Sequence, residues 1–480
     1  MSTNRRDFLR NSILGAGVLG SGLITACNNN ESKGVSVPAI RTQRFNMCGY
    51  AAPRLETVRV GFIGLGMRGP GAVQRFSHID GVEIVALGDL HEERVEKSQL
   101  ILERMGRPRA KTYFGSADAW KAMCEHPEID LIYICTPWAL HTPMALFAME
   151  HGKHAATEVP AALTLDEAWA LVETSERTQK HCMMLENCCY DFFELLTLNM
   201  ARQGFFGEIV HGEGAYIHDL LDLNFSKNGY EEMWRLRENM RNGNLYPTHG
   251  LGPVCQVMDI NRGDQMEYLT SMQSADFMMA AHANKLASED PFFQEFSGKT
   301  FRGNMNTTVV RTYKGRTIMV QHDVTSPRPY SRIHMVSGTK AFAQKWPTPA
   351  KISIGHSWLA ESEFKALEEQ YTPEIVKHVG DMARQIGGHG GMDFMMDWRL
   401  IDCLRNGLPL DQDVYDAALW SVIDPLSRQS VENRSASVDV PDFTCGSWKT
   451  NAPVELTLKG GGTTGVVLRT TDNARQLNVG

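Results

Sequence analysis

The segment whose residue types and spacing point most directly to chemistry is Gly64-Leu-Gly66-Met67-Arg68-Gly69. It follows the apolar run Val58–Ile63, and its last glycine stands 20 residues before Asp89, which closes a second apolar run beginning at Val82. In that setting Gly64 permits a tight strand-to-helix turn, Gly66 lets the backbone approach a pyrophosphate, and Gly69 lets helix and strand pack closely. Asp89 is placed to reach the ribose hydroxyls. An acid there repels a 2′-phosphate, so the pattern predicts NAD rather than NADP. An ordinary glycine turn would lack the strand, helix and acid around it.

The elements that must hold this cradle alternate from Val58 to about Met184: a strand, a helix, the strand ending at Asp89, a helix over 92–105, then a strand over 131–136. This alternation predicts an α/β fold with a parallel, doubly wound sheet, a Rossmann dinucleotide-binding domain over 58–184. Thr136-Pro137-Trp138-Ala-Leu-His141 ends one strand and His154-Ala-Ala-Thr-Glu158-Val159-Pro160 the next, at the carboxyl edge where ligands approach such sheets. Past residue 184 the periodicity changes to alternating strands at 208–218, 307–313 and 316–324. A C-terminal α+β domain with an open, mostly antiparallel sheet is expected over 185–440, followed by a tail over 441–480.

The N-terminus reads as an address. Asn4-Arg5-Arg6-Asp7-Phe8-Leu9-Arg10, an apolar stretch over 12–24 and Ile24-Thr-Ala-Cys27 resemble a twin-arginine export signal ending in a lipoprotein box over 1–27. Cys27 is the expected lipidation site, and 28–57 a polar tether and lead-in. The expectation is a lipoprotein anchored in the membrane and facing the periplasm or cell exterior. Twin-arginine export carries folded proteins, and freely exchanging NAD would be lost outside the cytoplasm. A tightly bound nucleotide, regenerated in each turnover, is therefore expected.

Composition agrees with an enzyme of two domains. The chain has 480 residues, 42% of them hydrophobic, and a net charge of −8 that disfavours nucleic acid as a partner. Of ten cysteines, the nine other than Cys27 show no metal-binding spacing and read as packed thiols, and no other ligand set suggests a metal. Asp219/Asp222 and Asp411/Asp413 read as loop or helix-start charges rather than glycosidase acids. The segment 387–391, Gly-Gly-His389-Gly-Gly, reads as a plain glycine turn in preference to a mobile loop over the site. A homo-oligomer stays open.

Thr136-Pro137 and Glu158-x-Pro160, followed by the sheet domain, resemble the glucose–fructose oxidoreductase superfamily. The glycine cradle, Trp138-x-x-His141, Glu158-Val-Pro-Ala-Ala162, Glu186-Asn187-Cys-Cys-Tyr190 and Tyr246-Pro-Thr-His249-Gly-Leu-Gly-Pro253 together resemble glycoside hydrolase family 109 across nearly the whole mature chain. That resemblance implies an NAD-dependent α-N-acetylgalactosaminidase. It places Gly64, Gly66, Met67, Arg68, Gly69, Asp89, Trp138, His141, Glu158, Val159 and Asn187 at NAD, with Arg68 near a phosphate. It places Tyr216, Arg235, Tyr246, His249 and Tyr330 at the sugar, with Tyr246 and His249 as the acid–base pair and the base itself left open. By residue type alone, Tyr216 has a packed aromatic as its lesser alternative, and Arg235 reads equally as a solvated helical charge.

Dehydrogenases of the superfamily carry Glu-Lys-Pro where this chain has Glu158-Val159-Pro160, and an aspartate where it has Leu245. Their proton relay is missing. The chemistry implied is hydride abstraction from sugar C3, proton loss at C2, elimination at C1, water addition and return of the hydride, outside the two-carboxylate scheme. Two other readings remain: an exported sugar dehydrogenase with tightly bound NAD(P), and a non-catalytic glycan-binding lipoprotein. The missing lysine speaks against the first, and an intact nucleotide cradle against the second.

Overall fold

The computed structural model describes residues 41–469. The arginine pair, Cys27 and the end of the tail lie outside the described residues. The run Val58-Arg-Val-Gly-Phe-Ile is buried along nearly its whole length, as a central parallel strand with helices on both faces requires. It forms β1 (Val58–Ile63), followed by β2 (Val82–Gly88), β3 (Lys111–Tyr113), β4 (Leu131–Ile134), β5 (His154–Thr157) and β6 (Cys182–Met184). All pair in parallel in the order β3-β2-β1-β4-β5-β6. The order reverses between β1 and β4, and at such a switch point a crevice opens at the carboxyl ends of the strands.

The second sheet has nine strands: β7 (Ile209–Ile217), β8 (Met266–Gln273), β9 (Asn306–Thr312), β10 (Thr317–Asp323), β11 (Met335–Gly338), β12 (Phe342–Gln344), β13 (Lys351–Ile354), β14 (Ser357–Trp358) and β15 (Val438–Asp439). Their order is β14-β13-β12-β11-β7-β10-β9-β8-β15, antiparallel throughout except for the β7–β10 pair. Strands β7, β9 and β10 begin and end within a residue of the expected segments. Along β9 every second residue is buried, the signature of one covered and one open face.

The helix Thr248–Val257 lies on the covered face, and two glycines set how closely. A Cβ on Gly214 of β7 would fall 2.2 Å from the Gly250 oxygen, and one on Gly250 would fall 2.1 Å from the Ala215 nitrogen. Backbone therefore meets backbone, which brings Tyr246 and His249 directly onto the strand that carries Tyr216. A second helix, Met392–Asn406, is buried continuously from Met392 to Leu404. It packs on the Rossmann helix Gly69–Ser77, where Arg75 Nε donates to Asp397 at 2.6 Å. The tail returns to the same place: Val466 bridges to Ile79, and Arg469 donates to the Ser77 carbonyl at 2.8 Å. The nine described cysteines are free thiols, and no described helix is long and apolar enough to cross a membrane.

Candidate active site

The two outer glycines of the cradle have no room for a side chain. Gly64 has φ +89°, and a Cβ there would lie 2.7 Å from the Cys135 carbonyl; a Cβ on Gly69 would lie 2.1 Å from the Gly64 oxygen. At Gly66 the nearest atom to a Cβ is Arg94 Nη1 at 3.8 Å, so this stretch of backbone faces open space at the start of a helix. A pyrophosphate fits there, with helix N–H groups and the positive end of the dipole directed at it. Asp89 accepts from the amides of Leu65 at 2.6 Å and His91 at 3.0 Å, which ties the glycine turn to the end of β2. Each carboxylate oxygen keeps a second lone pair for a ribose hydroxyl.

The remaining residues assigned to NAD take up distinct positions. Met67 is 59% exposed at the turn. Arg68, expected at a phosphate, spans two carboxylates: Nε donates to Glu158 at 2.9 Å and Nη1 lies 3.3 Å from Asp393, because both acids flank it. His141 is buried with its ring nitrogens 2.7 Å from the Pro160 carbonyl and 2.8 Å from that of Thr136, so it stitches the loops after β4 and β5 together from behind. Burial lowers its pKa against the pull of those carbonyls. Val159 is buried, and Asn187 donates its amide to Asp393.

The five residues assigned to the sugar converge beside Trp138. Tyr216 lies 4.7 Å from Tyr246, 5.4 Å from His249 and 6.2 Å from Tyr330, ring centre to ring centre. Tyr246 lies 4.8 Å from His249 and stacks on Trp138 at 5.5 Å. Arg235 is not a solvated helical charge. It is buried with its guanidinium 4.9 Å from the Tyr246 ring and 5.3 Å from those of Trp138 and Tyr230, and it donates to the Tyr230 hydroxyl at 3.1 Å. Its charge faces rings and phenols rather than a carboxylate. Burial pushes the Tyr246 and Tyr216 phenols up in pKa, against Arg235, so both stay protonated at neutral pH.

Behind this pocket stands a residue to which the sequence reading gave no role. Glu186 is wholly buried and its oxygens lie 2.7 and 3.0 Å from His249 Nδ1, while the Cys188 amide donates to it at 3.1 Å. Burial raises the Glu186 carboxyl, but His249 and the hydrogen bonds outweigh it and hold it below the usual carboxylate range. A carboxylate on Nδ1 fixes the imidazole tautomer and leaves Nε2 for substrate. Cys188 joins Glu186 and His249 in a group of three possible metal donors within 4.8 Å. Burial keeps that thiol neutral, and the direct Glu186–His249 hydrogen bond makes the group an oriented base.

Asp393 was equally unassigned. It receives Asn187, Arg68 and His389, the last through Nδ1 at 2.8 Å. Every residue of 387–391 has positive φ, and the Gly391 amide donates to the Gly388 carbonyl at 3.0 Å, so the segment forms the expected glycine turn, with His389 set against Arg68. Asp411 and Asp413 hold structure: Asp411 pairs with Arg399 at 2.9 Å, and Asp413 caps the helix Val414–Glu432.

Fold and site together define a nucleotide-dependent enzyme whose acid–base pocket is built against its cofactor crevice. Residues 58–186 match the oxidoreductase family with an NAD-binding Rossmann fold, and residues 190–450 match the C-terminal domain of glycosyl hydrolase 109. The chain is 49% identical over 429 residues to glycosyl hydrolase family 109 protein 1 of Bacteroides fragilis, covering 86% of this chain and 90% of that one. It is 52% identical over 411 residues to an alpha-N-acetylgalactosaminidase of the same species, covering 84% and 96%. The protein belongs to glycosyl hydrolase family 109. It is a glycoside hydrolase with an NAD-binding domain. Solved structures similar in fold include levoglucosan dehydrogenase with NADH and L-sorbose (TM-score 0.60, 17% identity, 81% of this chain and 100% of that one) and scyllo-inositol dehydrogenase from Lactobacillus casei (TM-score 0.57, 11% identity, 80% and 99%).

Proposed function

We propose that the protein removes terminal α-linked N-acetylgalactosamine from glycans by a redox-assisted elimination, with NAD held through every turnover. The observation that carries this reading is the Glu186–His249 dyad, whose imidazole lies 4.8 Å from a Tyr246 ring that stacks on Trp138 at the cofactor crevice. The relative named alpha-N-acetylgalactosaminidase supports the choice of sugar. Bound NAD supplies hydride acceptance at sugar C3 and its return.

The chain's own residues do the proton chemistry. A C3 ketone acidifies the C2 hydrogen, which His249 removes through Nε2 while Glu186 holds the ring. Tyr246, kept protonated by burial, donates to the departing glycosidic oxygen. In an α-linked galactose-type ring the C2 hydrogen and C1 leaving group are axial and opposed, which favours anti elimination. Water then adds at C1 and gives its proton to the Tyr246 phenolate, and His249 returns a proton to C2. Val159, apolar and buried, offers no relay for net oxidation.

The leader supports export of the folded, loaded enzyme and lipid anchoring at Cys27. Labelled fatty acid incorporated by the wild type and lost in Cys27→Ala checks this arm. Turnover of p-nitrophenyl α-N-acetylgalactosaminide in D₂O, with no nucleotide added, checks the chemistry. Deuterium at C2 of the released sugar is expected. Hydrogen alone at C2 refutes the elimination, and an absolute need for added NAD refutes retention.

A further inference from the structure

We infer that Glu231 is the latch of a strap, residues 230–235, that closes over the dinucleotide crevice and sets how long NAD stays. The inference rests on the retained-cofactor reading above. In the parallel sheet β1, with the glycine cradle at its end, lies between β2 and β4. The strap is fastened on both sides of it. On the β2 side Glu231 accepts from Arg94 Nη1 at 2.7 Å and from the ring of His91, both just past Asp89. On the β4 side Trp234 packs edge-on against Trp138 at 5.2 Å, and Arg235 lies over the same indole.

The reach is what such a crossing needs. Adjacent strands stand about 4.8 Å apart, so β2 and β4 are about 10 Å apart. From Glu231 to Trp234 the backbone is coiled rather than extended, with the Met233 amide donating to the Tyr230 carbonyl at 2.8 Å, so the long side chains at its two ends supply the reach. The two residues between the anchors, Glu232 at φ +50° and Met233 at φ +54°, are both left-handed and neither is glycine. Backbone of that kind persists where its ends are held.

The latch also lies at the cofactor's wall. Arg94 is 3.6 Å from Asp89 and stands next to the open space at Gly66. Glu231 comes from the half of the chain that carries the sugar pocket, so one short segment joins the nucleotide wall to Arg235. A nucleotide beneath it cannot leave the crevice until the Glu231 contacts or the indole contact open.

Nucleotide release tests this directly. Wild type, Glu231→Gln and Trp234→Ala are purified in full length, their nucleotide content is measured after acid extraction, and the NADH dissociation rate is followed by fluorescence during competition with excess NAD. The latch groups are partly exposed, so a moderate effect is expected: about twofold to fivefold faster release from Glu231→Gln. A similar or larger increase is expected from Trp234→Ala, with unfolding of the nucleotide-free proteins unchanged for Glu231→Gln. His91→Ala added to Glu231→Gln adds less than its effect alone, because the two share one contact. Release from Glu231→Gln at the wild-type rate overturns the latch. Wild type that purifies empty overturns the retention reading instead, and the NADH release rates still decide the latch.

Discussion

Replacing Glu186 with glutamine removes one charge and leaves the shape of the site intact, so it isolates what the buried carboxylate does for His249. The carboxylate now accepts from Nδ1 at 2.7 Å. An amide can turn its NH₂ toward that nitrogen and stabilise the opposite tautomer, with the proton on Nε2, where it cannot accept a proton from sugar C2. General acid–base catalysis contributes about 10²–10⁴ in rate, and the analogous carboxylate-to-amide change in a hydrolase triad costs about 10⁴. We expect kcat to fall about 10³-fold, equivalent to about 4 kcal/mol of barrier. KM should stay within about threefold, since the buried carboxylate acts through His249 rather than on the sugar. The assay is nitrophenol release paired with C2 deuterium incorporation in D₂O, and both should fall together. A Glu186→Gln enzyme with more than about a tenth of wild-type kcat would refute the dyad as the base.

Three further outcomes follow from the packing. Gly69→Ala sets a methyl 2.1 Å from the Gly64 oxygen, so the turn must open; purified protein should contain little nucleotide and lose about 1–3 kcal/mol in urea unfolding, and full nucleotide content would contradict the cradle. Arg235→Lys keeps the charge but not the planar contact with three rings, so KM should rise about tenfold while thermal unfolding changes little; an unchanged KM would remove Arg235 from the sugar. Burial lowers the pKa of His154, His181, His322 and His334, to about 4 for His181 and His334. The unfolded chain takes up protons near pH 6.5 and the folded one resists, so stability is full above that value and falls toward pH 4, by about 2 kcal/mol per such histidine at pH 5. Equal urea midpoints at pH 7.5 and pH 5 would contradict this.

Legibility from sequence followed the range over which each feature is encoded. The cradle could be read because Gly64, Gly66, Gly69 and Asp89 lie on one strand–helix–strand unit, and β7, β9 and β10 because alternation is local. Tyr246 and His249 share one turn of chain. Glu186 is 63 residues from His249 and Asp393 is 206 residues from Asn187, so no spacing rule connects them. Arg235 misleads for a physical reason: a short helix with two arginines defaults to solvent, and only the packing of Trp138, Tyr230 and Tyr246 around it shows otherwise. His141 stands in a motif, but its ring turns inward to backbone carbonyls, a choice that side-chain identity does not encode.

The helix Met392–Asn406 gives the molecule an indivisible interior. It belongs by sequence to the hydrolase half, yet Asp397 receives Arg75 and the Tyr133 hydroxyl of the Rossmann half, and the Trp398 indole donates to Thr464 of the returning tail. Cutting the chain between residues 186 and 190 would bare the apolar side of helix Gly69–Ser77 and strand an aspartate whose cation sits on the other fragment. The two halves are therefore joined by one buried helix as a single structural unit, and neither half closes its own interior without the other.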